Sequence, residues 1–246
     1  MDLPIFYQMP YWVNGLFFVV VLLGSLEAGY RIGRWRVRTT DESGRKDEGD
    51  LVLASMYTLL GLVLAFTYPF TLSRADQRKQ AVIDEADAIG TAFLRAGMAP
   101  EPTRTELRTL ILDYARTRVV TVETAGSADQ LRKTLSRTLQ AQSKIWPTTE
   151  RMVKAKPAGP VEVSIVQSIN EVLDMHTKRL AVSFDRLPGI VLLMLVFLAG
   201  ASLAITGFNA GLSGHLNRWR LTSLTLILAA VMLVIIDFDR PIRGFV

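Results

Sequence analysis

The stretch LAFTYPFTLSRADQRK, residues 64–79, passes from an uncharged apolar run into one of the most charged parts of the chain with no glycine and one proline, Pro69. Reading outward from it separates the chain into apolar spans and one long polar insertion. Half of the 246 residues are hydrophobic and the mean hydropathy is +0.27, high for a chain dissolved in water. A hydrocarbon core about 30 Å thick takes roughly 20 mostly apolar residues to cross as a helix. Four runs qualify, at residues 11–30, 51–73, 188–212 and 219–238. The expected fold is therefore all-α: a polytopic membrane protein with four transmembrane helices and a helical extramembrane bundle inserted between the second and third.

The domain division follows. Residues 1–73 hold spans one and two with a basic connecting loop, residues 74–187 the bundle, and residues 188–246 spans three and four with a short tail. The first run has only Asp2 ahead of it and Arg31, Arg34, Arg36 and Arg38 behind it, the reverse of a signal peptide. It reads as a retained first span. Both ends of the insertion join spans directly, so the second span is expected to continue out of the bilayer as a stalk, with Pro69 as a kink.

Within the insertion the periodicity is helical. Val82, Ala86, Ile89 and Phe93 mark one face, and Leu107, Leu110, Ile111 and Tyr114 another. Leu131, Leu135, Leu139 and Gln142 follow a capping box at Ser127, with Pro147 expected to end that helix. KPAGP, residues 156–160, is a turn. The last helix carries Val166, Ile169, Leu173, His176, Leu180 and Phe184 at spacings of three and four.

The chain has no cysteine and two histidines, which excludes disulfides and thiolate chemistry and disfavours a transition-metal site. No P-loop, H-E-x-x-H or G-x-S-x-G occurs. GLSGH, residues 211–215, has the G-x-S-G string of an intramembrane serine protease, but no base is placed to serve it, and Gly211 and Gly214 read as turn residues. No enzyme, cofactor or metal is expected. The net charge of +5 points to lipid headgroups and topology rather than to nucleic acid.

Ionisable groups at the edges of spans are costly and usually functional. Glu27 closes span one, and Asp237, Asp239 and Arg240 close span four. Together with Glu85 they are the candidates for ion pairs that stabilise or gate the junction. Thr67, Thr71, Arg74 and Arg78, spaced four, three and four, would line up as hydroxyls leading to a basic mouth. In an oligomer that face would line an anion pathway; in a single subunit it would be arginines reaching phosphates, with threonines bonded to their own backbone. DEADAIG, residues 84–90, lacks EF-hand spacing, and salt bridges to Arg95, Arg116 or Arg118 are the expected use of its acids. His176 reads as a core histidine. Gly61 with Ala65, and Gly200, Ala204, Gly207 and Gly211, are small-residue stripes for close helix packing.

GLVLAFT, R-x-D-x-R, EADAIGTAFLR, Y-x-x-x-R at Tyr114 and Arg118, SINEVLD, RLP and DFDRPIRG, in this order, together resemble the bacterial bestrophin-like membrane proteins. E-x-G at Glu27 and Gly29 adds to the likeness. Bestrophins proper are homopentameric anion channels in which the second transmembrane helix lines an apolar neck. The resemblance implies a homo-oligomer, a pentamer if it follows bestrophins proper, in the bacterial inner membrane, conducting small anions along residues 58–74. It departs in having neither a long C-terminal extension nor a recognisable calcium clasp, and the stripe through Thr67 and Thr71 is not a ring of bulky apolar residues. The alternative is a non-conducting membrane-anchored sensor or scaffold whose bundle binds a partner.

Overall fold

The computed structural model describes residues 10–39, 46–119, 128–155, 159–214 and 217–240, and within these the side chains other than those of 38–39, 46–50 and 128–131. Seven helices contain most of them: α1 Tyr11–Thr39, α2 Lys46–Ala96, α3 Thr103–Arg118, α4 Ala128–Ala155, α5 Pro160–Phe184, α6 Gly189–Ser213 and α7 Arg218–Asp239. No strand occurs among the described residues. Four helices are long and apolar enough to cross a membrane, and the protein is an all-α membrane protein. The opening stretch lies inside a single 51-residue helix, α2, which passes through Pro69 without ending.

The chain divides into two compact units, Met1–Ala75 with Arg186–Val246, and Asp76–Asp185. In the first, Phe18, Leu22 and Leu26 of α1 form a core with Leu60 of α2, Leu195, Ala199 and Leu203 of α6, and Met232, Ile235 and Ile236 of α7. The α1 and α6 backbones touch. A Cβ at Gly29 would run into the Ala204 carbonyl, one at Gly33 into the Phe208 carbonyl, and one at Gly207 into the Leu26 carbonyl. Contacts advance in step along both chains, so the two helices run parallel, as first and third spans must. Hydrocarbon tails are as apolar as leucine, so dispersion between close backbones, which glycine permits, holds such a pair. The stripe through Gly200, Ala204, Gly207 and Gly211 is thus used within one chain.

The second unit has its own core of Ala88, Ala92 and Ala96 from α2, Leu107, Ile111 and Tyr114 from α3, Ile145 and Met152 from α4, and Ile165, Ile169 and Val172 from α5. Four details correct the sequence reading. On α2 the buried stripe is Ala81, Glu85, Ala88, Ala92 and Ala96, one residue before the expected face, and Val82 is exposed. Alanines let neighbouring helices approach, whereas the larger Ile89 and Phe93 pack at the margin. On α4, Leu139 is 48 % exposed and the buried positions are Thr138, Ile145, Thr148, Thr149 and Met152. Pro147 does not end that helix, which continues to Ala155. The Thr148 hydroxyl donates to Glu106 of α3 at 3.0 Å, a tertiary bond, and Thr149 to the Ile145 carbonyl of its own helix at 3.0 Å; both hold the turn the proline weakens. At the far end of α5, Phe184 is exposed, outside the packed stripe.

Gly159 precedes Pro160, the first residue of α5, and donates its N–H to Glu162 Oε2 at 3.0 Å. Ser127, residues 156–158 and His215 lie outside the described residues. Gly214 caps α6 in the left-handed region at φ +71°, as a turn residue should. Gly211 is not a turn residue but part of the α1 contact, where a Cβ would sit 2.5 Å from the Tyr30 carbonyl.

Candidate functional site

The second span has a core-facing side and an outward side. Thr67 and Thr71, expected to line a pathway, are 5 % and 0 % exposed within a single chain. Their hydroxyls return to the backbone, Thr67 to the Val63 carbonyl at 2.7 Å and Thr71 to the Tyr68 carbonyl at 2.9 Å. Both side chains are packed within the single chain, and their self-bonded hydroxyls match the backbone-bonded alternative for this stripe. The same helix turns Leu62, Phe66 and Phe70 outward, at spacings of four, with 51 %, 71 % and 49 % exposure. The sequence reading passed over them because it followed the hydroxyls; the apolar face was there on the same helix.

Arg74 is half-buried, its guanidinium 4.4 Å from the centre of the Phe70 ring, a cation–π distance. Arg78 is half-buried in the second unit. Neither lacks a partner.

Glu27 accepts from Arg31 Nε at 2.9 Å, one turn away on an exposed face of α1. Such a pair contributes a few tenths of a kcal/mol, about 0.3–0.5, and reads as an interfacial contact. Span four ends differently. Asp239 is fully buried and accepts the Leu187 N–H with both carboxylate oxygens, at 2.9 and 3.1 Å. Leu187 of the RLP string and Asp239, 52 residues apart, therefore meet at the entry to α6. A carboxylate here satisfies a buried backbone donor in the link before α6, where no helix pairs it. Asp237 and Arg240 are also buried, and the Arg240 N–H closes the end of α7 on the Asp237 carbonyl at 3.1 Å.

The densest polar cluster lies in the second unit around Glu85, which is 1 % exposed. Tyr114 Oη donates to its Oε1 at 2.6 Å, Arg118 Nε approaches Oε1 at 2.8 Å, and Arg179 Nη1 donates to Oε2 at 2.6 Å. His176 Nδ1 stands 3.6 Å from Oε1, longer than a hydrogen bond. Beside it Lys178 Nζ holds Asp84 at 2.8 Å. Three helices converge here because Tyr114 and Arg118 are one turn apart on α3, and His176 and Arg179 three residues apart on α5. Burial disfavours the Glu85 carboxylate. The imidazole of His176 close by and the donors Tyr114, Arg118 and Arg179 outweigh that and hold its pKa well below the usual glutamate range. Burial, then the bond to Glu85, pushes the Tyr114 phenol far up, so it stays a donor. Of the three arginines expected as partners for these acids, Arg118 is the one that reaches Glu85; Arg95 donates instead to the Ser164 carbonyl, and Arg116 to Asp113. The motif segments EADAIG and Y-x-x-x-R are thus two halves of one cluster. Arg179 was missed as a partner, although it lies on the helix face next to His176.

Among the described residues no group of three or more histidine, aspartate or glutamate side chains could hold a metal ion. No curated protein and no solved structure matches the chain significantly. A family model described as the Bestrophin-like domain matches residues 18–246, nearly the whole chain, and the chain belongs to that family.

Proposed function

We propose that the protein is an oligomeric ion channel of the bacterial inner membrane, conducting small anions along a central pathway walled by the second spans of several copies. The observation that carries this reading is the outward face of α2. Only 11 % of its most apolar stretch is buried within one chain, against 28 %, 39 % and 33 % in the other three spans. Four spans are too few to enclose a water-filled pore, so a pathway requires a ring. With Leu62, Phe66 and Phe70 facing the axis, its narrowest part would be apolar and would gate by shedding water. Arg74 and Arg78 follow at the end of that face and would raise the local concentration of anions. Family membership supports a pentamer and an anion, by analogy with bestrophins proper.

On this reading the Asp76–Asp185 unit stands in water, as its exposed charges and paired arginines suit, and the protein is not an enzyme. Glu27, Glu85, Asp237, Asp239 and Arg240 act as structural ties rather than as the conducting lining. A second reading, a membrane-anchored scaffold, draws support from Ile83 and Leu94, exposed on one face of α2 in the second unit, and from exposed Met98 just beyond the end of that helix. Native mass spectrometry from nanodiscs separates the two. A ring of about five chains that carries chloride current in a bilayer fits the channel; a monomer or dimer leaves the pathway without walls and favours the scaffold.

A further inference from the structure

The close parallel crossing of α1 and α6 leaves a groove of about 540 Å³ along the outside of the first unit. Its floor is small, with Ser25, Gly29, Gly200 and Ala204, and its walls are Ile32 and Phe197, both mostly exposed. The Ser25 hydroxyl is tied to the Val21 carbonyl at 2.8 Å, so the surface offered is apolar. A cleft of this volume is within the range of ligand sites, about 300–1,000 Å³.

One end of the groove is basic. Trp35 and Arg36 follow Ile32 by three and four residues and so continue the same face of α1 by one turn. Both are exposed, as is Arg31, whose guanidinium reaches Glu27 from the neighbouring face. The apolar part of α1 ends here, which places this turn at the level of lipid headgroups, where tryptophan and arginine are the usual anchors. Basic pockets between transmembrane helices are suited to anionic headgroups.

We propose that the α1–α6 groove is a binding site for an anionic membrane phospholipid, with an acyl chain along the small-residue floor and the phosphate at Arg36 and Arg31. A second copy of the chain is the poorer occupant. Copies in one membrane share an orientation, so the arginine-rich end of one would meet that of the next; a phosphate removes that repulsion. This inference stands independently of channel activity, because the groove is lined by α1 and α6 and shares no residue with the Leu62, Phe66 and Phe70 stripe of α2.

The test uses the full chain in nanodiscs of equal phosphatidylglycerol and phosphatidylcholine, transferred to detergent and weighed with retained lipid by native mass spectrometry. Phosphatidylglycerol should be retained over phosphatidylcholine. Replacing both Arg31→Gln and Arg36→Gln should reduce that preference by roughly fivefold per arginine while leaving the chain folded. Ala201→Phe, which fills the groove, should abolish retention of either lipid. Equal retention of the two lipids, a preference unchanged in the arginine variant, or no retained lipid would overturn the proposal. The chain has no cysteine, so a disulfide between Ile32→Cys on one copy and Phe208→Cys on another, two lining positions at one membrane level, would reveal a second copy in the groove, and would overturn it too.

Discussion

Tyr114 Oη donates a 2.6 Å hydrogen bond to a Glu85 carboxylate that is 1 % exposed and already faces two guanidiniums. The cluster is the only point at which α2, α3 and α5 share one polar contact among the described residues, so its integrity governs the second unit. Glu85→Ala would leave Arg118 and Arg179 without their shared anion. Breaking a buried pair costs about 3–5 kcal/mol, and thermal unfolding of the purified protein should show the loss. Tyr114→Phe removes one bond to a charged group and should cost about 1.5–3 kcal/mol.

The same cluster sets a pH dependence. Glu85 titrates lower in the folded chain than its ordinary 4.5. A depressed carboxylate contributes stability in full above the unfolded value, and that contribution is lost as the pH falls through the folded one. Unfolding midpoints should therefore be insensitive to Glu85 between pH 6 and 8, roughly, and decline below about 4.5. In Glu85→Gln the decline should be shallower, so the gap between the two proteins narrows in acid. A gap that is constant down to pH 3, about the limit of such measurements, would show that the carboxylate charge is not what the arginines hold.

Two glycines in neighbouring spans should behave oppositely. A Cβ at Gly29 meets the Ala204 backbone, which does not move aside as a side chain would, whereas a Cβ at Gly61 meets nothing within 4 Å in the chain. Gly29→Val should prevent stable expression of the membrane unit. Gly61→Ala should leave it intact, as read by detergent-solubilised yield and melting.

Asp239→Ala would orphan the buried Leu187 N–H and cost about 1–3 kcal/mol. Asp239→Asn keeps one acceptor oxygen and should recover about half of that loss. Equal losses in the two would mean that the charge, rather than the hydrogen bonds to Leu187, is what the site needs.

The four spans were legible because apolar length alone decides them, and Tyr11–Thr39, the apolar part of Lys46–Ala96, Gly189–Ser213 and Arg218–Asp239 contain the expected runs. Facing was harder. On α2 the expected Val82 stripe was displaced by one residue because hydrophobicity was used to find the buried face, while close packing there selects alanine. Pro147 misled because intrinsic helix-breaking was weighed without Thr148 and Glu106, which are 42 residues apart in sequence. Thr67 and Thr71 follow the backbone-bonded alternative. In lipid a hydroxyl satisfies itself on its own carbonyl, so a polar stripe does not imply a water-facing one. A salt bridge from the acidic turn to Arg95, Arg116 or Arg118 was legible, because clustered acids need counter-ions, but nothing in the spacing singled out Glu85 with Arg118 or showed that Arg179 comes from a third helix.

The most direct measurement places a single cysteine at Phe66 or at Thr67 and follows ion current across a reconstituted bilayer while a charged thiol reagent is added. The cysteine-free background makes each probe unique. The account predicts chloride current that is blocked in Phe66→Cys and unaffected in Thr67→Cys, because the first side chain faces the axis and the second its own subunit. Block at Thr67 but not at Phe66, or no current from a protein that forms a ring, would contradict it.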